Sequence, residues 1–380
     1  MSSTVQDGTA PQVVVTGLGV TSAFGRGAAP LLDGVMAGKP AFGPVTRFDT
    51  GRCRASDAAC LPGQPDLAGE LGSVITDACA EAGFAADARA GIPLLVALHA
   101  DAGAARDPAA PTVLGDTAAR SAAATGFGPP PRIYTAACVA ASSALADAAA
   151  MICSGRAPAV VVAAGYLVDA DGFWLFDAGR TLAKDGQVRP FSVGRKGMLL
   201  GDAAAAVVLE AGDAAERRGA PLLGRMAGWG RAGDAYHVCQ PRPDGTGLAR
   251  AIESALRRGR IGPGDVGYVN ANGSGTSFAD ASEAAALHRA FGASALTVPV
   301  SSTKSVHGHA LEASALLEFA VTVLALRDGA LPVNAGYLGP DPDCELDLVL
   351  AAGREARTRY ALTLNAAFGG ANTALLLATA

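Results

Sequence analysis

The sequence predicts a layered α/β fold built from two similar halves. Runs of β-branched and aliphatic residues recur between Ala-rich stretches along the 380 residues, and this alternation is typical of strands and helices packed in layers. Ala203–Ala211 and Ala371–Ala380 are both small-residue segments that run into an apolar strand, so each is predicted to close one half. No long Pro/Ser-rich or Gly/Ser-rich linker separates the halves, which predicts that they pack as one body.

Seven apolar runs are predicted to be strands of these two halves. They are QVVVTGLGV from residue 12, IPLLVALHA from 92, AVVVAAGYL from 159, AAAAVVLEA from 203, VGYVNANG from 266, ALTLNAAFGG from 361 and NTALLLATA from 372. The first half is predicted to span residues 11–215 and the second residues 216–380, meeting in a polar stretch at 211–223. Residues 101–131 are predicted to form loose surface structure near a subunit interface.

The charge pattern excludes a nucleic-acid-binding surface. The formal net charge is −5, and Lys and Arg are scattered along the chain, so there is no basic footprint. Small acidic carrier proteins stay possible as partners through local patches. The polar N-terminus has no signal-peptide pattern, and charged residues interrupt the apolar stretches, so no membrane span is predicted.

The cysteine pattern argues against both a metal site and a disulfide framework. Seven cysteines are present, without CxxC pairs and without a His-rich neighbourhood. Reduced thiols of a cytoplasmic protein fit this pattern best.

Cys138 is the candidate nucleophile. A strand-like IYTAA segment leads into an Ala-rich helix that begins at or just after this cysteine. The positive end of a helix dipole is expected to lower the thiol pKa and so to increase the thiolate fraction. The alternative is a small buried residue in an Ala-rich core, and the motifs around it favour catalysis.

These motifs occur in a fixed order along the chain. They are VVVTGLGVTSAFG near the start, RPFSVGRKGMLLGDAAAAVVLE at 189–210, PRPDGTG at 241–247, NANGSGTSFADASEAAAL at 270–287, SSTKSVHGHALEASALLE at 301–318 and NAAFGGAN at 365–372. Each is weak alone, but the ordered set is a strong signal. From about residue 12 to its end, the chain resembles the β-ketoacyl-[acyl-carrier-protein] synthase (ketosynthase) family of the thiolase superfamily.

The resemblance implies a thiolase fold, in which the two duplicated halves form a five-layered α-β-α-β-α body. It also implies a dimer, with the strand near Ala159–Gly165 in contact across the two-fold axis.

The resemblance also assigns catalytic roles by position. Cys138 matches the acyl-accepting nucleophile, His309 in KSVHGH matches the second catalytic histidine, and Lys304 matches the family lysine. A neutral imidazole can donate a hydrogen bond to a developing enolate oxygen, while a lysine can pair with a carboxylate and order the site. Glu318 matches the acidic residue on the helix that follows the histidine.

An oxyanion hole is implied at the backbone N–H groups of Cys138 and Phe368. Gly369 and Gly370 support it, because glycines let the backbone approach the thioester closely.

The family motif H-G-T-G-T departs from the pattern, since it reads Asn272-Gly273-Ser274-Gly275-Thr276 in this chain. Asn272 replaces the histidine that normally helps to expel carbon dioxide from a malonyl unit. Its amide can still donate a hydrogen bond to a carbonyl oxygen, but it cannot shuttle a proton. Loss of one preorganised donor typically slows a reaction about a hundredfold or more.

Further departures surround the site. The aromatic gate and the flexible glycine before Phe368 match Ala366 and Ala367, so a gating motion is not predicted. Asp202 replaces the glutamate of the family's G-E-G-A motif, and Lys196 replaces an acid. Glu312 replaces the first glycine after the histidine and is predicted to be a helix surface residue, although if buried it would orient or charge the His309 imidazole.

The other histidines have no match to a catalytic position. His307 is predicted to be solvated or to support the site, and the remaining three are predicted to be structural: His99, His237 and His288.

Two functions follow from the resemblance. The first is a ketosynthase-like acyltransferase of fatty-acid or type II polyketide biosynthesis, which forms an acyl-Cys138 thioester from an acyl-carrier protein and transfers or condenses it. The second is a chain-length-factor-like subunit that pairs with a competent ketosynthase without doing chemistry. In both cases the partners are an acyl-carrier protein and a second subunit, in a homodimer or heterodimer. No cofactor is implied beyond the carrier's phosphopantetheine arm.

Overall fold

The computed structural model describes residues 11–99 and 113–380. The first half contains, in order, β1 (Val13–Ser22), β2 (Gly25–Arg26), α1 (Ala28–Ala37), β3 (Gly43–Pro44), β4 (Asp57–Ala58), α2 (Leu67–Glu81), β5 (Leu94–Leu98), α3 (Val113–Ala124), β6 (Arg132–Tyr134), α4 (Ala140–Cys153), β7 (Ala159–Tyr166), α5 (Ala170–Ala178), β8 (Ala203–Ala211) and α6 (Gly212–Arg217).

The second half contains β9 (Gly224–Gly233), α7 (Thr246–Gly259), β10 (Val266–Asn270), α8 (Ser277–Phe291), β11 (Pro299–Ser301), α9 (Lys304–His307), α10 (Ser314–Asp328), β12 (Asp347–Leu348), β13 (Tyr360–Ala367) and β14 (Ala371–Ala378). All seven predicted strands form. Of the predicted loose stretch at 101–131, residues 101–112 lie outside the described residues, and α3 then begins, with buried Ala118 and Ala122.

The strand order confirms the predicted duplication. The first half-sheet has the order β6-β5-β7-β8-β1, and the second has β11-β10-β13-β14-β9. When only these five strands of each half are numbered along the chain, both half-sheets have the order third, second, fourth, fifth, first. The short strand β12 extends the second half-sheet beyond β11. In both halves the fifth strand runs antiparallel to its two neighbours, and the other pairs are parallel. Strands β1 and β9 join the two half-sheets. The predicted boundary between residues 215 and 216 falls within α6 and stays a prediction.

The helices form three layers around the two half-sheets. Helix α2 packs on the outer face of the first half-sheet, and α7 packs on the second half-sheet in contact with α8. Helices α4 and α10 contact strands of both halves, so they form the central layer. This arrangement is the α-β-α-β-α body that the resemblance implies.

Helix α10 has no polar face because it lies in the central layer. Every residue from Ser314 to Leu326 is buried, as expected for a helix that is covered all round. The helix ends at Gly329, which takes a left-handed conformation with φ 67°. Its three buried polar residues, Ser314, Glu318 and Thr322, therefore need partners inside the protein.

The predicted dimer contact through Ala159–Gly165 is wrong. This segment is strand β7, and both of its edges are already hydrogen-bonded, one to β8 and one to β5. A strand in the interior of a sheet has no free edge to offer a second subunit. In the first half-sheet the edge strand of the described chain is β6.

Across residues 11–99 and 113–380, no helix is long and apolar enough to span a bilayer.

Candidate active site

Cys138 lies in a tight turn, Ala137–Val139, between strand β6 and helix α4. Ala137 has φ 49°, a left-handed conformation that costs a residue with a Cβ about 1–2 kcal/mol. This strained turn places the cysteine at the start of α4. The residue is buried, with 9% of its surface exposed.

The predicted fall in the thiol pKa does not occur. Burial, followed by the nearby Glu312 carboxylate, raises the pKa of Cys138 to about 12. Desolvation penalises the thiolate more than the helix terminus favours it. At neutral pH the residue is therefore a thiol, and its proton must leave when the sulfur attacks a substrate.

We expect the alkylation rate of Cys138 by iodoacetamide to rise about tenfold per pH unit between pH 7 and 10, without a plateau. Glu312→Gln removes the negative charge and is expected to speed alkylation at pH 8 by roughly threefold to tenfold. Mass spectrometry in a Cys239→Ser background, which lacks the exposed cysteine, follows the reaction. A plateau near pH 8 in the parent protein would contradict the buried, anion-flanked thiol.

The turn that carries His309 is held by backbone contacts from the 189–210 motif. His309 N–H donates to the Leu199 carbonyl (2.7 Å), and Gly201 N–H donates to the His309 carbonyl (3.0 Å). A Cβ on Gly201 would lie 2.1 Å from the His307 carbonyl oxygen, so this close approach requires glycine. Gly201 therefore helps to position His309.

Hydrogen bonds to Nδ1 determine the tautomer of His309. The Leu311 N–H, which can only donate, points at Nδ1 (3.0 Å), and the Ser314 hydroxyl lies 2.9 Å from the same atom. Nδ1 is therefore the acceptor, and the proton of the neutral ring is on Nε2. Burial and then the Lys304 charge hold the pKa of His309 well below its usual range. The side chain is thus a neutral donor through Nε2–H.

Lys304 forms a buried ion pair with Glu318. Lys304 Nζ lies 2.6 Å from Glu318 Oε1, and both side chains are almost fully buried. The two atoms are close but poorly aligned for a hydrogen bond, so the contact is mainly electrostatic. Glu318 Oε2 also accepts from Asn365 Nδ2 (2.7 Å), and burial raises the pKa of Glu318. Asn365 is a partner that sequence reasoning missed.

Asn272 is anchored at the end of strand β13. Its Oδ1 accepts from the Ala366 N–H (3.3 Å), so its Nδ2, on the other side of the amide, can only donate. Its backbone N–H and that of Gly273 donate to the two oxygens of Glu283, both at 2.7 Å. This buried carboxylate fixes the Asn272 loop.

A second buried carboxylate braces the same loop. Asp280, one turn before Glu283 on α8, accepts from the N–H groups of Phe191 (2.9 Å) and Gly275 (3.1 Å). Burial raises the pKa of Asp280 to about 6 and that of Glu283 to about 7. Sequence reasoning missed both residues, although their i, i+3 spacing directly after the N-G-S-G-T motif was the available signal.

We expect Glu283 to make stability fall as pH rises. Its pKa is raised from 4.5 to about 7 in the fold, so its contribution is fully present below pH 4.5 and is lost as pH rises through 7. Between these limits the parent protein should lose about 3 kcal/mol more unfolding free energy than Glu283→Gln. Urea unfolding at several pH values measures this. The same dependence of unfolding free energy on pH in both proteins would contradict this role of Glu283. Glu216 is an exposed glutamate on α6, so Glu216→Gln is the matched control.

The backbone around Phe368 is arranged to present an N–H group. In the described part of the chain nothing accepts from the Phe368 N–H. Gly369 (φ 86°) and Gly370 (φ 76°) both adopt left-handed conformations, and Gly369 N–H donates to the Val238 carbonyl (2.8 Å). The Phe368 ring is half-exposed and stacks on Phe176, with centroids 6.1 Å apart.

Ala367 explains how the family's glycine can be absent before Phe368. It is the last residue of strand β13 and pairs with Ala371, so its backbone is extended and accepts an alanine. Ala366 occupies the preceding strand position, where it donates to Asn272.

The predicted site residues converge from both halves. The Cys138 turn packs against β13, α10 and the Leu311–Ala313 turn. Asn272 is bonded to β13, and the ion pair of Lys304 and Glu318 acts electrostatically on the thiol. Their catalytic roles stay predictions.

Glu312 is not on the surface, and its predicted surface position is wrong. It is 3% exposed, because the Leu311–Ala313 turn folds against β5, β7 and the Cys138 turn. Nor does it pair with the His309 imidazole. Its two oxygens lie 3.0 and 2.9 Å from Nδ1 of His99. His99, predicted to be purely structural, therefore lies beside the candidate site.

The remaining histidines have local roles. His307 is fully buried rather than solvated, and it bonds the Gly308 carbonyl (2.8 Å) and the Thr303 hydroxyl (2.9 Å). Burial lowers the pKa of His307 to about 3. His237 caps a loop by accepting from the Cys239 N–H (3.0 Å), and His288 contacts the Glu345 carbonyl (2.8 Å).

Two other departures from the family pattern have structural partners. Asp202 is fully buried and forms an ion pair with Arg47. Lys196 pairs with Asp185 at 3.0 Å.

Neither a metal-ligand cluster nor either of two surface cavities coincides with the candidate site in the described part of the chain. Within the described residues, no three His, Cys, Asp or Glu side chains cluster as metal ligands would. Cavities of about 440 and 1280 Å³ lie around Pro11, Gln12 and Arg225. Neither cavity is lined by a predicted site residue. The candidate site is therefore identified from the contacts among its residues.

Comparison with known proteins identifies the family. A model described as the β-ketoacyl synthase N-terminal domain matches residues 95–215, and one described as the C-terminal domain matches residues 223–337. The ketoacyl synthase alpha subunit of the tetracenomycin polyketide synthase, from Streptomyces glaucescens, is 32% identical over 97% of this chain and 97% of that protein. The chain belongs to the β-ketoacyl synthase family.

Other members of the β-ketoacyl synthase family are similar over different lengths. Nodulation protein E of Rhizobium meliloti is 40% identical, in a match that spans 63% of this chain and 60% of that protein. The solved structure of the ishigamide ketosynthase/chain length factor has a TM-score of 0.88 and 27% identity, covering 98% of this chain and 100% of that chain.

Proposed function

We propose that the chain is a ketosynthase-like acyltransferase of fatty-acid or type II polyketide biosynthesis. It takes an acyl group from the phosphopantetheine arm of an acyl-carrier protein onto Cys138 and then transfers or condenses it. The observation that carries the proposal is the packing of the Cys138 turn against β13 and against the Leu311–Ala313 turn, whose Leu311 N–H makes His309 a neutral donor through Nε2. The tetracenomycin relative, named as a polyketide synthase subunit, supports the assignment to this pathway class.

Acyl loading requires a nucleophile and a place for negative charge. The Cys138 sulfur attacks the carbonyl carbon of the carrier thioester, and the carrier thiol leaves with the proton that the cysteine gave up. The oxygen of the tetrahedral intermediate accepts hydrogen bonds from the N–H groups of Cys138 and Phe368. The raised thiol pKa makes the removal of that proton part of the barrier.

Condensation would use the two side-chain donors. When the malonyl C–CO₂ bond breaks, its electrons form an enolate whose oxygen can accept from His309 Nε2–H and Asn272 Nδ2–H. The enolate carbon then attacks the Cys138 thioester, and the thiolate leaves. An asparagine donates in this step but cannot carry a charge or a proton, so condensation is the step that Asn272 weakens.

A second candidate function is a chain-length-factor-like subunit without catalysis of its own. Asn272 at the histidine position and the buried Glu312 carboxylate that acts on the thiol both favour it. So does the solved structure named as a ketosynthase/chain length factor. The retained cysteine, lysine and second histidine favour the acyltransferase.

We expect a homodimer, or a heterodimer with a second ketosynthase subunit, in the cytoplasm. No metal or organic cofactor is required for the steps above, because the thioester is delivered on the carrier's phosphopantetheine arm.

Intact-mass spectrometry after incubation with acyl-carrier proteins of different acyl length tests the proposal. We expect an acyl adduct that Cys138→Ala abolishes. A chase with malonyl-carrier protein then separates release as a β-ketoacyl product, two carbons longer, from simple transfer. No adduct with any donor, alone or with a co-purified ketosynthase, would refute the acyltransferase and leave the chain-length-factor function.

A further inference from the structure

Three residues form a polar cluster beside Cys138 that the catalytic scheme does not use. They are His99 directly after β5, Tyr166 at the end of β7 and Glu312 in the Leu311–Ala313 turn. His99 Nδ1 lies 2.9 Å from Glu312 Oε2, and its ring meets the Tyr166 ring edge-on, with centroids 5.7 Å apart. Because β5 and β7 are parallel neighbours, their carboxyl ends bring the first two residues together.

Glu312 and His99 form a partly buried polar pair in this cluster. A buried carboxylate is unfavourable without a partner, and the bond to Glu312 raises the pKa of His99, which favours the imidazolium. His99 is about one-third exposed whereas Glu312 is buried, so the pair can be approached from the His99 side. Glu312 therefore has a hydrogen-bonded partner inside the protein, and that partner faces solvent in part.

Tyr166, whose ring contacts His99, carries an unused hydrogen-bonding group. Its side chain is 2% exposed, and its hydroxyl has no hydrogen-bond partner among residues 11–99 and 113–380. A buried hydroxyl left in this state is unfavourable by roughly 1–3 kcal/mol. Such an orphaned group is expected where a ligand group completes the hydrogen bonds.

The cluster is close enough to the nucleophile to contact a group bound there. The Leu311–Ala313 turn packs against the Cys138 turn. Among the charged groups, Glu312 acts most strongly on the thiol. A substituent near the carbonyl of an acyl-Cys138 thioester would therefore lie at the polar cluster.

On the basis of the proposed function, we propose that the polar cluster selects acyl groups that carry a hydroxyl near the thioester. The hydroxyl donates to Glu312 and accepts from the Tyr166 hydroxyl, while His99 positions the carboxylate. An ammonium substituent fits less well because Glu312 is already paired with His99. An alkyl chain would leave the Tyr166 hydroxyl without a partner.

A competition experiment tests this inference. The full-length protein is given an equimolar mixture of butyryl and 3-hydroxybutyryl phosphopantetheine thioesters, and the ratio of the two Cys138 adducts is read by intact mass at early times. We expect the hydroxyacyl adduct to exceed the butyryl adduct roughly tenfold. Glu312→Gln and Tyr166→Phe should each bring the ratio close to one. The ratio is the readout because Glu312→Gln also changes the reactivity of the thiol.

Tyr134→Phe is the matched control, since its hydroxyl is bonded to Asp147 (2.8 Å) outside the cluster and the ratio should stay unchanged. Thermal melting shows whether each variant is folded. Two adducts without a hydroxyl preference, or a preference that survives both cluster variants, would overturn this inference alone. Absence of both adducts in the parent protein would overturn the acyltransferase function and this inference with it.

Discussion

Asn272→His is expected to raise the rate of β-ketoacyl product formation about a hundredfold, with acyl loading of Cys138 little changed. Asn272 has its Oδ1 bound to the Ala366 N–H, so only its amide Nδ2 can face the substrate. A histidine at this position can donate to the enolate oxygen and can also carry a proton. Loading does not use this group, since it depends on the sulfur and the backbone N–H groups.

Quantification of β-ketoacyl-carrier product from malonyl-carrier protein measures the effect. The variant Asn272→His/Cys138→Ala is the control, because it should form no condensation product. The site is buried, so thermal melting must show that the larger side chain is accommodated. Unchanged condensation in a folded, acyl-loaded Asn272→His protein would contradict the role given to residue 272.

Lys304→Met is expected to lower the free energy of unfolding by about 3–5 kcal/mol. The lysine lies 2.6 Å from Glu318 inside the central layer, where both side chains are almost fully buried. Its removal leaves a carboxylate without a counter-charge. The double variant Lys304→Met/Glu318→Gln should recover much of this loss, since a neutral amide keeps an oxygen that can accept from Asn365.

Denaturant unfolding of the single and double variants measures this coupling. The exposed pair of Arg217 and Asp213 on α6, 2.7 Å apart, is the matched control, because Arg217→Met should change stability by less than about 1 kcal/mol. A Lys304→Met protein as stable as its parent would show that the buried pair contributes nothing. A double variant less stable than Lys304→Met would contradict the counter-charge argument.

Much of the fold could be predicted because strands and motifs leave local signals. The run AVVVAAGYL is apolar throughout, as in a strand covered on both faces, and it forms β7. Strand order leaves no such signal. The position of β7 inside the half-sheet depends on pairings with β5 and β8, and this is why the predicted dimer contact through it was wrong.

The candidate site was predictable where a motif sets the residue and its neighbours. Cys138, Lys304 and His309 each lie in such a motif, and their positions converge. Glu312 was placed wrongly because a glutamate is usually exposed. Its burial depends on the fold of the 311–313 turn against β5 and on a partner, His99, that lies 213 residues away.

The pKa of Cys138 also depends on contacts that the local sequence does not reveal. A helix N-terminus can be inferred from a local pattern, and it favours a thiolate. Burial and the charge of Glu312, which outweigh it, are properties of the packed structure. Sequence reasoning therefore identified the nucleophile but had the sign of its pKa shift wrong.

Peptide mapping of the acylated protein shows directly whether Cys138 is the nucleophile. After incubation with an acyl-carrier protein, tandem mass spectrometry shows which of the seven cysteines carries the acyl group. We expect acylation of buried Cys138, with exposed Cys239 unmodified and Cys239→Ser without effect on the adduct. An acyl group on Cys239, or an adduct that survives Cys138→Ala, would contradict it.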